Sequence, residues 1–397
     1  MSDYFPQEIL LEIFHRLPIK SIVKCTSVCK SWRSVIRNPT FISDHLRAPI
    51  YHSNQFLLVQ PCDENGYSDP SRAPVTYSLR YDDDDLTDYS TLDLPRVFER
   101  EPSVAGICNG LVCINSSEKC DALILCNPCI RRYVVLPKPS DYSCLYYSYI
   151  GLGFDSRNDD YKVVRISCMK DDKRYGLCPP EVELYSLATG FWKNITNVAP
   201  IFTMCPIGID APQAFINGIV HWGAKRMVNG DWYNFILSFD FGNEVFGEIM
   251  LAESLAHASK DSITVIGGGN SLTVYQVTCS PLPCSCNIWV MKEYGVVQSW
   301  SKLFTLNWKG FYLEAPALGE TLVGVSSAPT TICVRKRGEI LLMIDEAGKP
   351  CLYSLDTEGK TLRNLGIGGE GYTWYTYSDY YSESLVLLDK ARSLVSY

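Results

Sequence analysis

Residues 5–41 read FPQEILLEIFHRLPIKSIVKCTSVCKSWRSVIRNPTF, and this stretch separates the chain into two parts of different architecture. Apolar residues recur at helical spacing along 9–17, with charged residues between them. Pro6 suits a first helical turn, and Pro18 ends one helix and can open a second. Asn38-Pro39 stops a third short helix. The stretch therefore predicts a bundle of short helices at the start of the chain.

This helical module is small for the apolar surface that it carries. A bundle of about 45 residues hides little surface in its own core. The apolar residues that such a core cannot fully bury are Leu10, Leu11, Leu17, Val28 and Trp32. A persistent apolar patch on a small module usually marks a partner. The alternative is that the bundle packs on the rest of the chain.

A DNA-binding helix-turn-helix is a weaker interpretation of the same module. Residues 1–50 hold seven Lys and Arg residues against four Asp and Glu residues, a net charge of only +3. These basic residues are spread around the helices instead of lying on one recognition face. We therefore expect no nucleic-acid partner.

The landmarks of the helical module also occur together in one known family. They are Phe5-Pro6, Leu17-Pro18, Lys20-Ser21, Val28-Cys29-Lys30, Trp32 and Pro39. Their spacing resembles that of an F-box, with Phe5 where the family usually has Leu. The resemblance implies that the module binds the Skp-type adaptor of a cullin–RING ubiquitin ligase. The positions that match the family's adaptor contacts are Pro6, Ile9, Leu10, Ile13, Leu17, Pro18, Val28 and Trp32.

The composition of the 397 residues is that of a folded protein, with 46% hydrophobic and 20% charged residues. The N-terminus lacks the basic and apolar regions of a signal peptide, and no stretch reaches the ~18 apolar residues of a membrane helix. Seventeen irregularly spaced cysteines do not resemble a secreted disulfide framework. We therefore expect a cytoplasmic or nuclear protein with no membrane partner.

From about residue 55 the pattern changes to short apolar runs separated by turn-forming residues. Asn109-Gly110 and Asn217-Gly218 each precede an apolar run, and Asn-Gly between such runs is a strong hairpin signal. A strand–turn–strand form also recurs. Its equivalent points lie 51–63 residues apart, at Leu125, Tyr185, Phe239, Val290 and Tyr353. This drifting repeat predicts the blades of a propeller, and 343 residues at about 57 per blade give six.

We therefore expect a small α-helical module over residues 1–48, a linker over 49–54 and an all-β domain over 55–397 that forms a six-bladed β-propeller. A β-sandwich is the alternative, but it explains the repeated form less well. Strands from the two ends must meet if the ring is to close. Glu383–Asp389 is the candidate last strand, and Gln55–Gln60 and Val75–Arg80 lie at the other end.

The β-rich part also matches a known pattern in six stretches. They are Gly106–Cys113, Cys126–Pro128, Gly151–Asp155, Asp160–Val164, Val182–Ser186 and Phe215–Trp222. Together they resemble the F-box-associated domain of plant F-box proteins, a group related to S-locus F-box and F-box/kelch proteins. The resemblance implies a β-propeller that recognises substrates. Clean kelch repeats are not evident.

Motifs for catalysis or cofactor binding are weak throughout the chain. Gly366–Gly371 satisfies Gly-x-Gly-x-x-Gly, but an aromatic run follows instead of a helix, so we interpret it as a loop. Cys126 and Cys129 bracket a turn and lack the second pair that a zinc site needs. His221 stands beside Trp222 in a strand, which favours a packed histidine over a base. We expect no metal, no cofactor and no catalytic residue, and we expect the cysteines to act as small core residues.

Two kinds of segment could bind a partner on the surface. Asp82–Asp85 with Asp88 predicts a solvated acidic loop, with a docking site for a basic partner as the alternative. The tyrosine-dense segments 141–149 and 372–381 offer a large contact area at low entropic cost, and packing between blades is their alternative role. The candidate substrate-binding residues are Tyr142, Tyr146, Tyr372, Trp374, Tyr375 and Tyr377.

By these resemblances we expect the substrate-recognition subunit of a cullin–RING (SCF-type) ubiquitin ligase. It would act by proximity and perform no covalent chemistry itself. Its expected partners are the Skp-type adaptor, through the adaptor the cullin and RING subunits, and a protein substrate. The alternatives are a propeller enzyme, such as a glycan hydrolase or oxidase, and an F-box scaffold outside any ligase.

Overall fold

The computed structural model describes residues 6–47, 55–59, 77–92, 102–116, 123–139, 146–169, 179–204, 214–258, 262–268, 271–278, 284–309, 312–315, 320–323, 330–359, 361–368 and 378–389. The helices are α1 (Gln7–His15), α2 (Ile19–Cys25), α3 (Lys30–Ile36), α4 (Pro39–Arg47) and α5 (Glu253–Ala256). The first four confirm the predicted bundle. Pro18 directly precedes α2 and Pro39 is the first residue of α4, where a missing backbone N–H costs nothing. In the described part of the chain, no helix combines the length and apolarity needed to cross a membrane.

Phe14 is the centre of the helical bundle. Its ring lies edge-on to Trp32, with ring centroids 5.1 Å apart, and to Phe41 at 6.2 Å. Edge-to-face pairs of this kind add to the free energy gained by burying the rings. Phe14 therefore joins α1 to α3 and α4.

Most of the remaining described residues form six antiparallel sheets. The strands are β1 (Gln55–Val59), β2 (Tyr77–Tyr81), β3 (Asp88–Leu92), β4 (Pro102–Cys108), β5 (Leu111–Ser116), β6 (Leu123–Asn127), β7 (Arg132–Val135), β8 (Tyr146–Asp155), β9 (Asp160–Met169), β10 (Glu181–Ser186), β11 (Phe191–Asn194), β12 (Thr203–Met204), β13 (Ala214–Ile216), β14 (Ile219–Val228), β15 (Asp231–Asp240), β16 (Val245–Met250), β17 (Ser262–Gly268), β18 (Ser271–Thr278), β19 (Cys284–Met291), β20 (Trp300–Trp308), β21 (Tyr312–Ala315), β22 (Glu320–Val323), β23 (Thr330–Val334), β24 (Ile340–Glu346), β25 (Lys349–Asp356), β26 (Thr361–Gly368) and β27 (Ser378–Ser382).

Each sheet is one blade of a propeller. Blade 1 contains β4–β7, blade 2 β8–β11, blade 3 β12–β16, blade 4 β17–β22, blade 5 β23–β26, and blade 6 β27 with β1–β3. Contacts between strands run around the ring from β4 to β8, β8 to β14, β14 to β17, β17 to β23, β23 to β27 and β27 back to β4. The predicted six-bladed β-propeller is therefore confirmed.

Blade 6 closes the ring by combining strands from both ends of the domain. β27 pairs antiparallel with β1, with Tyr381 opposite Phe56, and β1 pairs with β2. The predicted meeting of the two ends is confirmed, but the predicted last strand is wrong. Ser378–Ser382 forms that strand, whereas residues 383–389 lie outside every sheet. The backbone turns here instead of extending, because Leu387 has a φ of 73° and the Leu388 N–H donates to the Leu385 carbonyl oxygen at 2.9 Å.

The two predicted Asn-Gly turns have the expected backbone. Asn109 and Gly110 have φ angles of 51° and 77°, and Asn217 and Gly218 have 54° and 81°. Positive φ at both central residues gives the twist that a tight hairpin needs. A Cβ on Gly110 would also lie only 2.5 Å from the Ser382 carbonyl oxygen, so the position requires glycine on two grounds.

The interpretation of Gly366–Gly371 as a loop is wrong in part. Gly366 and Gly368 lie in β26, which is the outermost strand of blade 5 and is largely exposed. An exposed edge strand has few side chains to pack, so it tolerates glycine better than an interior strand does.

The propeller has two distinct ends because consecutive strands in a blade are antiparallel. Turns between the first and second strands and between the third and fourth strands share one end. In blade 1 these turns are Asn109-Gly110 and Pro128–Ile130, and α2 contacts the latter. We call this end the module face. The other end, which includes the Asn229-Gly230 turn between β14 and β15, is the distal face.

Candidate functional site

One face of the helical module is apolar and exposed. Ile9 and Ile13, one turn apart on α1, are 46% and 44% exposed, and Val28 is 64% exposed. Pro6, which precedes α1, and Pro18, which follows it, are also exposed. These five belong to the predicted adaptor-binding set. Apolar side chains in such a grouping are a candidate protein-binding surface.

The other three members of the predicted set are less accessible. Leu10 is only 7% exposed and packs in the protein's own core. Leu17 and Trp32 are half-buried against the same core. Helix α1 therefore divides its apolar residues between two faces, with Ile9 and Ile13 outward and Leu10 and Phe14 inward. The adaptor-binding role of all eight stays a prediction.

The inward face of the bundle packs on the propeller. A single hydrophobic cluster contains Leu10 and Ile22 of the helices, Leu125 of blade 1 and Leu152 of blade 2. The alternative considered from sequence, that the bundle packs on the rest of the chain, therefore holds for one of its two faces. The sequence pattern alone did not say which apolar residues would be covered.

The predicted substrate-binding residues fall at the distal face or outside the described residues. Tyr142, Tyr372, Trp374, Tyr375 and Tyr377 lie outside the described residues. Tyr146 is the first residue of β8, and its backbone pairs with Met169. The strand thus begins at the distal face, opposite the Asp155–Asp160 turn. Substrate binding by these residues stays a prediction.

A hairpin of the distal face was not singled out from sequence. The tip of β14–β15 exposes Met227 and Val228, and Ile201 is exposed two residues before Thr203, which pairs with Lys225. The sequence does contain a signal for this exposed hairpin tip, because Asn229-Gly230 marks a tight turn and two apolar residues precede it directly. These residues are additional candidates for contact with a partner.

The acidic run is paired within the protein. Asp82 Oδ1 lies 2.7 Å from Arg335 Nε, and Asp85 Oδ1 lies 2.7 Å from Arg363 Nη1. Asp84 pairs with Arg337. Blade 5 thus supplies a cation for each of these three carboxylates, while Asp84 and Asp85 stay 71% and 76% exposed, as in a solvated loop. A docking site for a basic partner stays an untested alternative.

His221 is a packed histidine, as predicted. Its Nδ1 lies 3.0 Å from the Ala214 carbonyl oxygen and its Nε2 lies 2.7 Å from the Tyr294 hydroxyl. Burial lowers the pKa of His221 to about 4, although the bond to Ala214 opposes this shift. The imidazole is therefore neutral at physiological pH and is fully engaged in holding its strand.

The cysteines of blade 1 behave as core residues. Cys126 is fully buried in a strand, and burial raises the pKa of the Cys129 thiol to about 12. Both are free thiols. Cys284 differs from the expectation, because it is disulfide-bonded. Among the described residues, no group of three or more His, Cys, Asp or Glu side chains is arranged to hold a metal ion.

Comparison with known proteins matches both parts of the chain. The F-box domain model matches residues 3–44, and the model of the F-box associated beta propeller domain matches residues 84–388. F-box protein CPR1 of Arabidopsis thaliana is 30% identical over 328 residues, which covers 76% of this chain and 72% of that protein. F-box protein At4g22390 of the same plant is 27% identical over 388 residues, which covers 91% of this chain and 86% of that protein.

A solved structure titled "Structure of Dos1 propeller" shares 9% sequence identity with a TM-score of 0.36, covering 73% of this chain and 64% of that one. A likeness of this size supports no statement about function.

Proposed function

This chain belongs to the family of proteins with an F-box associated β-propeller domain, and from that membership we propose that it is the substrate-recognition subunit of a cullin–RING (SCF-type) ubiquitin ligase. The helical module binds the Skp-type adaptor, which connects it to the cullin and RING subunits. The propeller holds a protein substrate. The chain itself is no enzyme in this proposal, since it acts by bringing the substrate close to subunits that transfer ubiquitin. We expect it in the cytoplasm or nucleus, which imaging of a tagged chain checks.

The observation that supports adaptor binding best is the exposed apolar face of the F-box. Ile9, Ile13 and Val28 remain uncovered although the propeller hides the opposite face of the same bundle. A surface of this kind costs solubility unless a partner covers it. Truncating a buried interface anchor typically costs ~2 kcal/mol or more in binding free energy.

The test is adaptor binding by purified full-length chains. Because Ile13 and Val28 are exposed, replacing either with alanine should leave the fold intact while weakening adaptor binding by roughly 30-fold, the equivalent of about 2 kcal/mol. The matched control is Val245→Ala, since Val245 is 49% exposed on the outer strand of blade 3. Undiminished adaptor binding by Ile13→Ala and Val28→Ala would reject this part of the proposal.

A ligase subunit and a scaffold outside the ligase differ in what the adaptor brings with it. Affinity capture of the wild-type chain should recover cullin and RING subunits along with the adaptor. Recovery of adaptor without cullin under the same conditions would favour the scaffold. The double variant Ile13→Ala/Val28→Ala, in which adaptor binding should be weakened, measures the background recovery in this capture.

We assign substrate binding to the distal face. Connections between strands have two to eight residues at the module face, whereas those at the distal face reach 17 residues, at 60–76. Long connections on a rigid scaffold commonly carry binding residues. In the sequence, the candidates follow β7 or β26 and precede or begin the next strand, β8 or β27; they are Tyr142, Tyr146, Tyr372, Trp374, Tyr375 and Tyr377.

A further inference from the structure

Residues 383–388 follow the last strand and lie outside every sheet, yet residues 384–388 are buried and Glu383 is partly buried. We call them the clasp segment. The side chains of Leu385–Leu388 are only 1–6% exposed. They belong to the same hydrophobic cluster as Ile22 of α2 and Leu125 of blade 1. The clasp segment therefore lies between the F-box and the propeller.

Blade 1 holds the clasp segment through buried polar contacts. The Asn127 side-chain amide donates to the Ser384 carbonyl at 3.0 Å and to the Val386 carbonyl at 2.8 Å. Leu387 has a φ of 73°, a left-handed conformation that a leucine keeps only where its surroundings impose it. The backbone of the segment is thus fixed on the propeller side.

The F-box holds the same segment from the other side. Arg37 Nε of the α3 C-terminus donates to the Leu388 carbonyl at 3.0 Å. Lys20 Nζ of α2 lies 3.2 Å from Glu383 Oε1 and 5.3 Å from the centroid of the Tyr89 ring in blade 6. Burial lowers the pKa of Lys20, but the charge of Glu383 and its hydrogen bond outweigh burial and raise the pKa overall. Lys20 is therefore a cation engaged with the propeller.

We propose that the clasp segment fixes the F-box on the propeller as one rigid unit, and that Lys20 and Arg37 serve this joint instead of the adaptor. The clasp segment holds the adaptor-binding face and the distal face in one mutual orientation. The role of this fixed orientation in presenting a substrate rests on the proposed function. The attachment of the F-box to the propeller does not.

Amide hydrogen exchange of the full-length chain tests the joint. Arg37→Ala should speed exchange in α2, α3 and residues 384–388 by roughly tenfold or more, because local opening of a segment sets its exchange rate. Arg33→Ala is the matched control. Arg33 lies on the same helix, but its Nε donates to the Thr26 carbonyl within the F-box. Slow exchange in β24, in blade 5, verifies that the propeller of each variant stays folded.

A charge exchange tests the Lys20–Glu383 pair. Lys20→Glu and Glu383→Lys should each speed exchange in α2 and the clasp segment, and the double variant should restore rates to within about threefold of the wild type. Lys24→Glu, an exposed change on the same helix, should have no effect on the clasp segment. Restoration distinguishes a pair that holds the joint from two charges that merely lie near it.

Unchanged exchange in Arg37→Ala, or failure of the double variant to restore slow exchange, would overturn the proposal. Adaptor binding separates this outcome from failure of the proposed function. Lys20→Glu and Arg37→Ala should bind the Skp-type adaptor within about twofold of the wild type. If they lose adaptor binding while exchange stays slow, the two residues belong to the adaptor site and the inference is wrong. If exchange behaves as expected but the wild type binds no adaptor, only the ligase function fails.

Discussion

Arg335 lies fully buried with its Nε 2.7 Å from Asp82 Oδ1, although 253 positions separate the two residues in the chain. Asp82 belongs to the turn between β2 and β3, and Arg335 follows β23. The Tyr380 hydroxyl donates to the other oxygen of Asp82 at 2.6 Å. The pair therefore joins blade 5 to blade 6, where the ring closes.

Removing one partner of this buried pair should destabilise the propeller strongly. Arg335→Ala leaves Asp82 without its buried cation, and breaking such a pair typically costs about 3–5 kcal/mol. Chemical denaturation of the purified chain measures the change in the free energy of unfolding. Arg363→Ala is the matched control, because Arg363 and Asp85 are 45% and 76% exposed and an exposed pair contributes at most about 1 kcal/mol. Equal losses in the two variants would contradict a special role for the buried Arg335–Asp82 pair.

Deleting residues 378–397 should open the ring. The deletion removes β27, so β1 loses one partner and presents an unpaired edge, which favours aggregation. Size-exclusion chromatography and thermal melting measure the outcome. A chain that ends at Asp389 is the control, since it keeps every described residue. A monomeric deletion variant with an unchanged melt would show that β27 is dispensable for closure.

Stability should fall as the pH decreases from 6.5 toward 4. The pKa of His221 is lowered from its usual 6.5 to about 4 by burial, so in this range the unfolded chain binds a proton that the folded chain does not. Each such site contributes a slope of at most about 1.4 kcal/mol per pH unit.

His221→Phe measures the share of His221 in that slope. The variant should show a shallower loss of stability between pH 6.5 and 4, whatever its absolute stability at neutral pH. His45, whose pKa is also lowered to about 4 by burial and by His15, should account for part of the remaining slope. Parallel pH profiles for the wild type and His221→Phe would show that His221 does not titrate in this way.

Trp374→Ala should weaken substrate capture without affecting adaptor binding or the melting temperature. Trp is the residue type most enriched among interface hot spots, and its truncation there costs ~2 kcal/mol or more. Capture of partners under proteasome inhibition, followed by quantification, provides the measurement. Phe191→Ala controls for loss of an exposed aromatic, because Phe191 is 74% exposed next to a module-face turn. A large drop in melting temperature would instead identify Trp374 as part of the core.

The sequence predicted features that depend on neighbouring residues. The helix boundaries follow from prolines at positions 18 and 39, and the hairpins follow from Asn-Gly dipeptides whose backbone preference is local. The recurring strand–turn–strand form gave the number of blades for the same reason, since each blade is a local antiparallel sheet.

Features that depend on distant partners were missed. The apolar run Leu385–Leu388 has the composition of a strand, but its burial is shared between helices and blades far away in sequence. The pairing of Asp82, Asp84 and Asp85 could not be predicted, because their cations follow more than 240 residues later. In the F-box, the family pattern marked both Ile9 and Leu10, and only the position of the propeller determines that Leu10 is covered.

The placement of β27 has a consequence for synthesis of the chain on the ribosome. The F-box and β1 precede β27 in the chain, and 319 positions separate Val59 from Ser378. At a translation rate of roughly 5–20 residues per second, about 15–60 s pass between the synthesis of β1 and that of its inner neighbour β27. During that time the edge of β1 that β27 later covers is open to other nascent chains. Blade 6 therefore cannot be completed before β27 is made, and a stop codon before Ser378 would yield a product whose ring cannot close.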